Sequence, residues 1–212
     1  MDCCQANYDA VFSEKRTKKD LKRYRRKGPD KTTRLLIDAL RSAGVQGKTL
    51  LDIGGGIGAI DHELLDAGVA RATHVDASAG ATNAAREEST RRGTQERIDF
   101  QHGDFVALAA RIGPADVVTL DRVICCYASM EQLVSASASH ARELYGIVIP
   151  RQRRITRVMQ AGINLLCRIT REQFRFHVHS PERIEGEIAN AGLRLQSARD
   201  TLIWRVAVYV RA

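Results

Sequence analysis

The stretch that decides the fold is Leu50-Leu51-Asp52-Ile53-Gly54-Gly55-Gly56-Ile57-Gly58. The apolar run predicts a buried strand, and the glycines predict a tight turn into a helix. Gly54, Gly56 and Ala59 also fit a loose dinucleotide-binding pattern, in which backbone N–H groups hold a pyrophosphate. Asp52 argues against that use, because its carboxylate would repel a diphosphate. It would attract a cationic ligand by about 4 kcal/mol at about 4 Å.

Acidic residues also follow the next three predicted strands. His74-Val75-Asp76 ends a strand over 71–76, and Gly103-Asp104-Phe105 follows a strand near 97–102. A fourth strand over 115–121 ends at Asp121. Asp76 lies 22 residues after Gly54, where the second strand is expected to end.

This order of signals, from about residue 48 to Pro150, resembles the class I methyltransferases that use S-adenosylmethionine (SAM). The resemblance implies SAM as cofactor and S-adenosylhomocysteine as product, with Asp76 at the ribose hydroxyls and Asp104 at the adenine amino group. It also implies that the methyl group lies beyond the fourth strand. The cofactor residues that the resemblance implies are Asp52, Gly54, Gly55, Gly56, Gly58, Asp76, Ala77, Ser78, Gly103, Asp104, Phe105, Leu120 and Asp121.

Strand and helix patterns alternate from residue 48 onward, which predicts a parallel sheet. Strands are expected over 48–53, 71–76, 97–102, 115–121 and 144–149, and helices over 57–67, 79–92, 104–111 and 130–143. A basic helix from Arg151 to about Thr170, an extended piece over 174–179, a helix opened by Ser180-Pro181 and a hairpin around Asp200 complete the chain. The alternation predicts an α/β fold class, and the resemblance implies a three-layer αβα sandwich with a mostly parallel seven-stranded sheet and an antiparallel last strand. Residues 1–47 are expected to form a basic helical arm, in which Asp30 caps the second helix, and 48–212 are expected to form the SAM-binding domain.

The net charge of +8 is concentrated in the arm, where nine Lys or Arg and a single acid, Asp20, lie between Lys15 and Lys27. Such a run suits an acidic metabolite, RNA or an anionic membrane, although a solvated helix face is the more ordinary interpretation. The sequence has an odd number of cysteines, five, and no membrane-length apolar run. Both features favour a reducing, cytoplasmic location.

The methyl acceptor is expected beside the loop from Asp121 to Tyr127. The chain from Tyr24-Arg25-Arg26 to Leu120-Asp121 is similar to magnesium-protoporphyrin IX O-methyltransferases and related small-molecule enzymes. We therefore predict methyl transfer to a small, acidic metabolite through a carboxylate or hydroxyl oxygen. The predicted catalytic residues are Asp121, Tyr127 and His177, and the predicted acceptor-binding residues are Tyr24, Arg25, Arg122 and Arg151, the last in a possible clamp with Arg153 and Arg154.

Several alternatives stay open at this point. The arm could bind RNA in an RNA methyltransferase, or the chain could be a non-catalytic SAM-binding subunit; a dinucleotide oxidoreductase is a more distant third. His177 and His179, two residues apart, could form a base and its neighbour. Cys3, Cys4, Cys125 and Cys126 could meet around zinc or a soft substrate, although free cysteines more often simply pack in the core. No metal is predicted, and the oligomeric state is left open.

Overall fold

The computed structural model describes residues 14–212. Its sheet has seven strands in the order β3-β2-β1-β4-β5-β7-β6. Strands β1 to β5 are parallel, and β7 runs antiparallel to both β5 and β6. The predicted seven-stranded sheet with an antiparallel last strand is therefore confirmed. The strands are β1 (Thr49–Ile53), β2 (Arg71–Asp76), β3 (Ile98–His102), β4 (Ala115–Asp121), β5 (Ala141–Pro150), β6 (Leu193–Asp200) and β7 (Trp204–Arg211).

Helices cover both faces of the sheet. Most follow the predicted bounds, but the helix before β5 ends at Ser139 rather than near 143, so that β5 begins at Ala141. The predicted helix over 104–111 is a short α-helix followed by the 3₁₀ turn Ala109–Arg111. Residues 174–179, predicted to be extended, belong to neither a helix nor a strand. The helices are α1 (Glu14–Lys27), α2 (Lys31–Ala43), α3 (Ala59–Asp66), α4 (Ala79–Arg92), α5 (Phe105–Leu108), α6 (Met130–Ser139), α7 (Arg154–Ile169) and α8 (Pro181–Asn190).

The core consists of two apolar layers, one on each face of the sheet. Neighbouring residues of each strand alternate between the layers, as Leu50 and Leu51 of β1 do, because side chains along a strand point to opposite faces. Leu36 of α2 belongs to one layer, whereas Leu133 of α6 belongs to the other. Each fully buried side chain of this kind contributes about 1.5–3 kcal/mol. The expected three-layer sandwich is thereby confirmed.

The basic arm packs on the rest of the fold through two helices. Leu21 and Tyr24 of α1 are buried against Ala84 of α4. Asp30 caps α2 as predicted, since its Oδ1 accepts hydrogen bonds from the backbone N–H groups of Thr32 and Thr33. Within residues 14–212, no helix has the length and apolar character that crossing a membrane requires.

Candidate functional site

A cavity of about 750 Å³ opens at the carboxyl ends of the parallel strands. It lies where the connections leave β1 and β4 in opposite directions, which is the position at which open α/β sheets bind ligands. Gly58, Ser78 and Leu120, which were also predicted to bind the cofactor, do not line it; Ser78 caps α4 instead, and Leu120 is fully buried in the core. The predicted cofactor residues that do line it are Asp52, Gly54, Gly55, Gly56, Asp76, Ala77, Gly103, Asp104, Phe105 and Asp121.

The loop after β1 has a backbone that only glycine adopts readily. Gly54 and Gly56 have φ values of +66° and +59°, in the left-handed region. A Cβ on Gly55 would lie 2.5 Å from the ring of His74, whereas a Cβ on Gly56 would meet no atom within 4 Å. Gly56 therefore faces open cavity, and the loop leaves room for a ligand that approaches the backbone closely.

Asp76 holds this loop against the end of β2. Its Oδ2 accepts a hydrogen bond from the backbone N–H of Gly56 at 2.8 Å, and its Oδ1 accepts one from Ser78 at 2.7 Å. Each carboxylate oxygen can accept a further bond, because an ionised carboxylate offers about four lone-pair sites. Asp76 can therefore order the loop and still accept hydrogen bonds from a ligand's hydroxyl groups.

Asp104 contacts Tyr127 from the opposite side of the cavity. Its Oδ1 caps α5 by accepting a hydrogen bond from Val106, and its Oδ2 accepts one from the Tyr127 hydroxyl at 2.9 Å. Tyr127 was predicted to act at the methyl group, but its hydroxyl is occupied by Asp104, at the position predicted for adenine. The phenol is thus better placed to orient Asp104 than to remove a proton from an acceptor.

Asp52 is buried beneath the glycine loop, with 1% of its surface exposed. Its Oδ1 accepts a hydrogen bond from Thr119 at 2.6 Å, and its Oδ2 has no hydrogen-bond partner among the described residues. Burial and the nearby charge of Asp61 raise the pKa of the Asp52 carboxyl well above its usual value. The predicted acid therefore lies beneath the turn, not at its lip.

Sequence reasoning missed the two neighbours of Asp52. Asp61 Oδ2 lies 2.7 Å from His74 Nδ1, and both side chains are fully buried. Burial lowers the pKa of His74, but the charge and hydrogen bond of Asp61 outweigh it and raise that pKa overall. These two residues and Asp52 are the group of three potential metal ligands that residues 14–212 contain. A histidine inside an apolar strand was the available signal.

Asp121 and Arg122 join β4 to the arm. Arg122 has a φ of +63°, and its guanidinium donates to Asp121 Oδ1 at 2.9 Å and to Asp30 Oδ2 at 2.7 Å. Thr33 donates to the other oxygen of Asp121. Burial alone would raise the pKa of Asp30, but Arg122 and the helix-cap bonds lower it to about 2. Two carboxylates therefore already neutralise the arginine that was predicted to bind the acceptor.

Two other predicted acceptor-binding arginines do not line the cavity and are held in ion pairs elsewhere. Arg25 binds Glu88 Oε2 at 2.7 Å, because α1 packs its flank against α4. Arg151 binds Asp200 at 2.9 Å, because the end of β5 and the end of β6 flank the start of β7 on either side. Both cations are engaged in holding elements of the fold together.

The structure also places Tyr24 and His177 in contacts other than those with an acceptor. Tyr24 lines the cavity, but it is 2% exposed, and its hydroxyl donates to Glu63 while accepting from Arg92. Phe176 lines the cavity and His177, next to it in an extended segment, does not. Burial lowers the pKa of His177, and its ring stacks on His179 at 5.3 Å. His177 is therefore not placed to act as the base.

The acceptor half of the cavity has an apolar wall that sequence reasoning did not identify. It comes from α7, from the extended segment after it and from the start of β7. Cys125 and Cys126, in the turn after β4, also line the cavity, with their Sγ atoms 3.9 Å apart, and the bond to Cys126 together with burial raises the pKa of Cys125. Cys3 and Cys4, their proposed partners, lie outside the described residues. The apolar wall consists of Ile163, Leu166, Cys167, Phe174, Phe176 and Trp204.

Comparison with known proteins agrees with this geometry. Residues 50–145 match a family described as a methyltransferase domain. Over 73 residues, 34% of this chain, the sequence is 38% identical to a ribosomal protein L11 methyltransferase of Yersinia pseudotuberculosis, and the match spans 25% of that protein's length.

Two solved structures share the fold at 18% identity. One is the magnesium protoporphyrin IX methyltransferase of Synechocystis PCC 6803 with bound S-adenosylhomocysteine, with a TM-score of 0.67 over 96% of this chain and 100% of that one. The other is an O-methyltransferase family protein of Burkholderia thailandensis, with a TM-score of 0.73 over 96% of this chain and 62% of that one.

Proposed function

Because residues 50–145 match a methyltransferase domain, we propose that the chain is a class I, SAM-dependent methyltransferase that methylates an oxygen atom of a small molecule with an apolar body and an acidic group. The observation that carries this proposal is the apolar wall beside the strand-end carboxylates in one cavity. A site of this composition encloses a small ligand, since apolar surfaces supply affinity and a few polar groups supply orientation.

The cofactor half of the cavity suits SAM, a ligand that carries positive charge and no phosphate. The open space at Gly56 admits a ligand against the backbone, and the walls carry carboxylates. We assign Asp76 to the ribose hydroxyls, Asp104 to the adenine amino group, and Asp52 and Asp121 to the positively charged methionine end. When bound, SAM supplies a methyl group on a sulfonium centre, so the protein has chiefly to align the acceptor with it.

The acceptor half favours a nucleophile that is already deprotonated. Within residues 14–212, no histidine lines the cavity, and Asp121 is held by Thr33 and Arg122. A carboxylate acceptor needs no base. With such an acceptor, the residues that line this half of the cavity would only have to exclude water and fix the distance between the acceptor oxygen and the methyl group.

The acidic group of the acceptor would meet α1. Arg16 and Arg23 line the cavity, and Arg23 approaches Asp30 only at 3.9 Å. Of the nine basic residues from Lys15 to Lys27, these two contribute to the wall, whereas Arg25 binds Glu88 of α4. The predicted recognition of an acid by the arm is therefore kept, with different residues.

The test is to incubate the full chain with methyl-labelled SAM and a cell extract, and to count label in the small-molecule, RNA and protein fractions. We expect label in small molecules, released by mild base if the acceptor is a carboxylate. Label that resists base would indicate that the acceptor oxygen belongs to a hydroxyl group and not to a carboxylate. Label confined to RNA or protein would overturn the proposal.

RNA is the second candidate acceptor. Lys15, Lys19 and Lys22 are exposed on α1, and exposed lysines suit phosphate contacts. This alternative predicts RNA binding that weakens steeply with salt. A non-catalytic subunit, by contrast, would bind SAM and label no fraction.

A further inference from the structure

Helix α7 presents an apolar stripe to solvent. Val158 and Ile169 are 72% and 70% exposed, and Ile155, Leu165 and Leu166 are between 47% and 61% exposed. Their spacing places all five on one face of the helix, while Thr156 and Cys167 on the opposite face are buried. A contiguous exposed apolar face of this kind marks an interaction surface.

The same segment carries only positive charge. Residues 151–171 contain six arginines and no acid. Arg154, Arg157 and Arg168 are exposed, make no salt bridge to a described residue, and lie by helical spacing along one edge of the apolar stripe. The surface therefore combines an apolar centre with a cationic border.

The stripe continues into the cavity. Leu166 is 61% exposed and also lines the cavity, next to Ile163. Arg16 and Arg23 of α1 line the same cavity. The apolar stripe and the cationic arm thus lie at one end of the molecule, around the acceptor half of the site.

We propose that α7 docks on an anionic lipid surface, with its apolar stripe at the boundary of headgroups and acyl chains and its arginines on lipid phosphates. A helix with an apolar face and a basic border binds membranes in this way. A second copy of the chain fits less well, because two such faces would bring like charges together. RNA fits less well too, since the stripe has no aromatic side chain on which a base could stack. Docking goes beyond the proposed function and requires neither SAM nor acceptor.

Vesicle flotation of the full chain tests this surface. We expect the protein to float with vesicles of phosphatidylcholine containing phosphatidylglycerol, to remain behind with phosphatidylcholine alone, and to dissociate as salt rises. The double variant Val158→Gln/Ile169→Gln should bind about tenfold more weakly, because two apolar side chains no longer enter the lipid. Leu202→Gln, at a 60% exposed residue outside α7, is the matched control and should bind normally.

The cationic border is tested in parallel. Arg157→Gln/Arg168→Gln should weaken binding on the order of tenfold, whereas Arg194→Gln/Arg199→Gln on the exposed face of β6 should not. Unchanged Tm and SAM affinity in the α7 variants would show that the fold is intact.

Three outcomes would overturn the proposal. The first is no vesicle binding, or binding that Val158→Gln/Ile169→Gln leaves unchanged. The second is a concentration-dependent dimer of the parent that this variant abolishes, which would assign the face to a second copy. The third is salt-sensitive RNA binding lost only in Arg157→Gln/Arg168→Gln, without vesicle binding.

Discussion

The hydroxyl of Tyr127 donates a hydrogen bond to Asp104 at 2.9 Å, across the 23 residues that separate them. The loop after β4 is thereby connected to the end of β3, two strands that are not neighbours in the sheet. The contact fixes the orientation of a carboxylate that caps α5 and lines the cavity.

Replacing Tyr127 by Phe removes this bond and leaves the ring in place. A hydrogen bond of this kind contributes about 1 kcal/mol, so we expect the KM for SAM to rise about fivefold with little change in kcat. Steady-state kinetics with SAM as the varied substrate measure both. If Tyr127 were instead the base, kcat would fall by about 100-fold or more, and that result would contradict the assignment.

The pair of Arg122 and Asp30 links stability to pH. Asp30 has a folded-state pKa of about 2, below the value in the unfolded chain, so its stabilisation is present above about pH 4 and lost as the pH falls through about 2. Asp30→Asn keeps a good helix cap and removes the charge. We expect it to lower the free energy of unfolding by about 2 kcal/mol at neutral pH. This gap in free energy of unfolding between the parent and the variant should narrow between pH 4 and 2.

Urea unfolding at a series of pH values measures this gap. Asp38→Asn is the control, because Asp38 is an exposed carboxylate on the same helix. A gap for Asp30→Asn that stays constant down to pH 2 would show that the charge of Asp30 is not what stabilises the pair.

Gly56 and Gly93 form a matched pair for testing the cofactor half. Both have left-handed φ values, +59° and +68°, and a Cβ on either would meet no atom within 4 Å. Alanine should therefore cost about 1 kcal/mol of stability at each position. Only at Gly56 does the methyl group enter the cavity, so we expect Gly56→Ala to weaken SAM binding at least tenfold and Gly93→Ala to leave it unchanged. Isothermal titration with SAM measures the affinity of both variants. Equal affinities would show that the glycine loop does not contact SAM.

Asp52 is expected to lower the stability of the fold at neutral pH and to strengthen SAM binding. Its folded-state pKa is raised, so the neutral acid is favoured, and the protein loses stability as the pH rises above the unfolded value near 4. Asp52→Asn stays neutral and keeps an acceptor for Thr119. We expect its free energy of unfolding at neutral pH to rise by about 1 kcal/mol or more. SAM binding should weaken at least tenfold, because the positive charge of bound SAM would favour the ionised form of Asp52, whereas asparagine cannot ionise.

Unfolding and SAM titration of the same sample separate the two effects. Asp99→Asn, at an exposed position on β3, should change neither. A less stable Asp52→Asn protein that binds SAM normally would contradict both the burial argument and the assigned role.

The fold could be predicted because its signals are local. Gly54 and Gly56 need positive φ whatever surrounds them, and strand ends marked by Asp76 and Asp104 follow from the alternation of elements. The partners of the arginines could not be predicted, since they depend on packing between distant segments. Arg122 meets Asp30 across 92 residues. The exposed stripe on α7 was also missed, because an apolar helical face in a sequence predicts burial, and only the fold shows that no described residue covers it.

Two arginines of α1 are expected to have different roles, Arg25 in the stability of the fold and Arg23 in binding the acceptor. Arg25 binds Glu88, whose side chain is fully buried, and Arg91 and Arg92 bind the same carboxylate. Arg25→Gln should therefore lower the free energy of unfolding by about 1 kcal/mol and leave methylation of an acidic acceptor unchanged. Arg23→Gln should change stability by less than about 0.5 kcal/mol, because its ion pair is long and exposed, yet reduce labelling of the acidic small-molecule fraction severalfold. The two variants are compared by urea unfolding and by label counted at limiting extract. If Arg25→Gln lost labelling and Arg23→Gln did not, the assignment of acceptor binding to the side of α1 that carries Arg23 would be wrong.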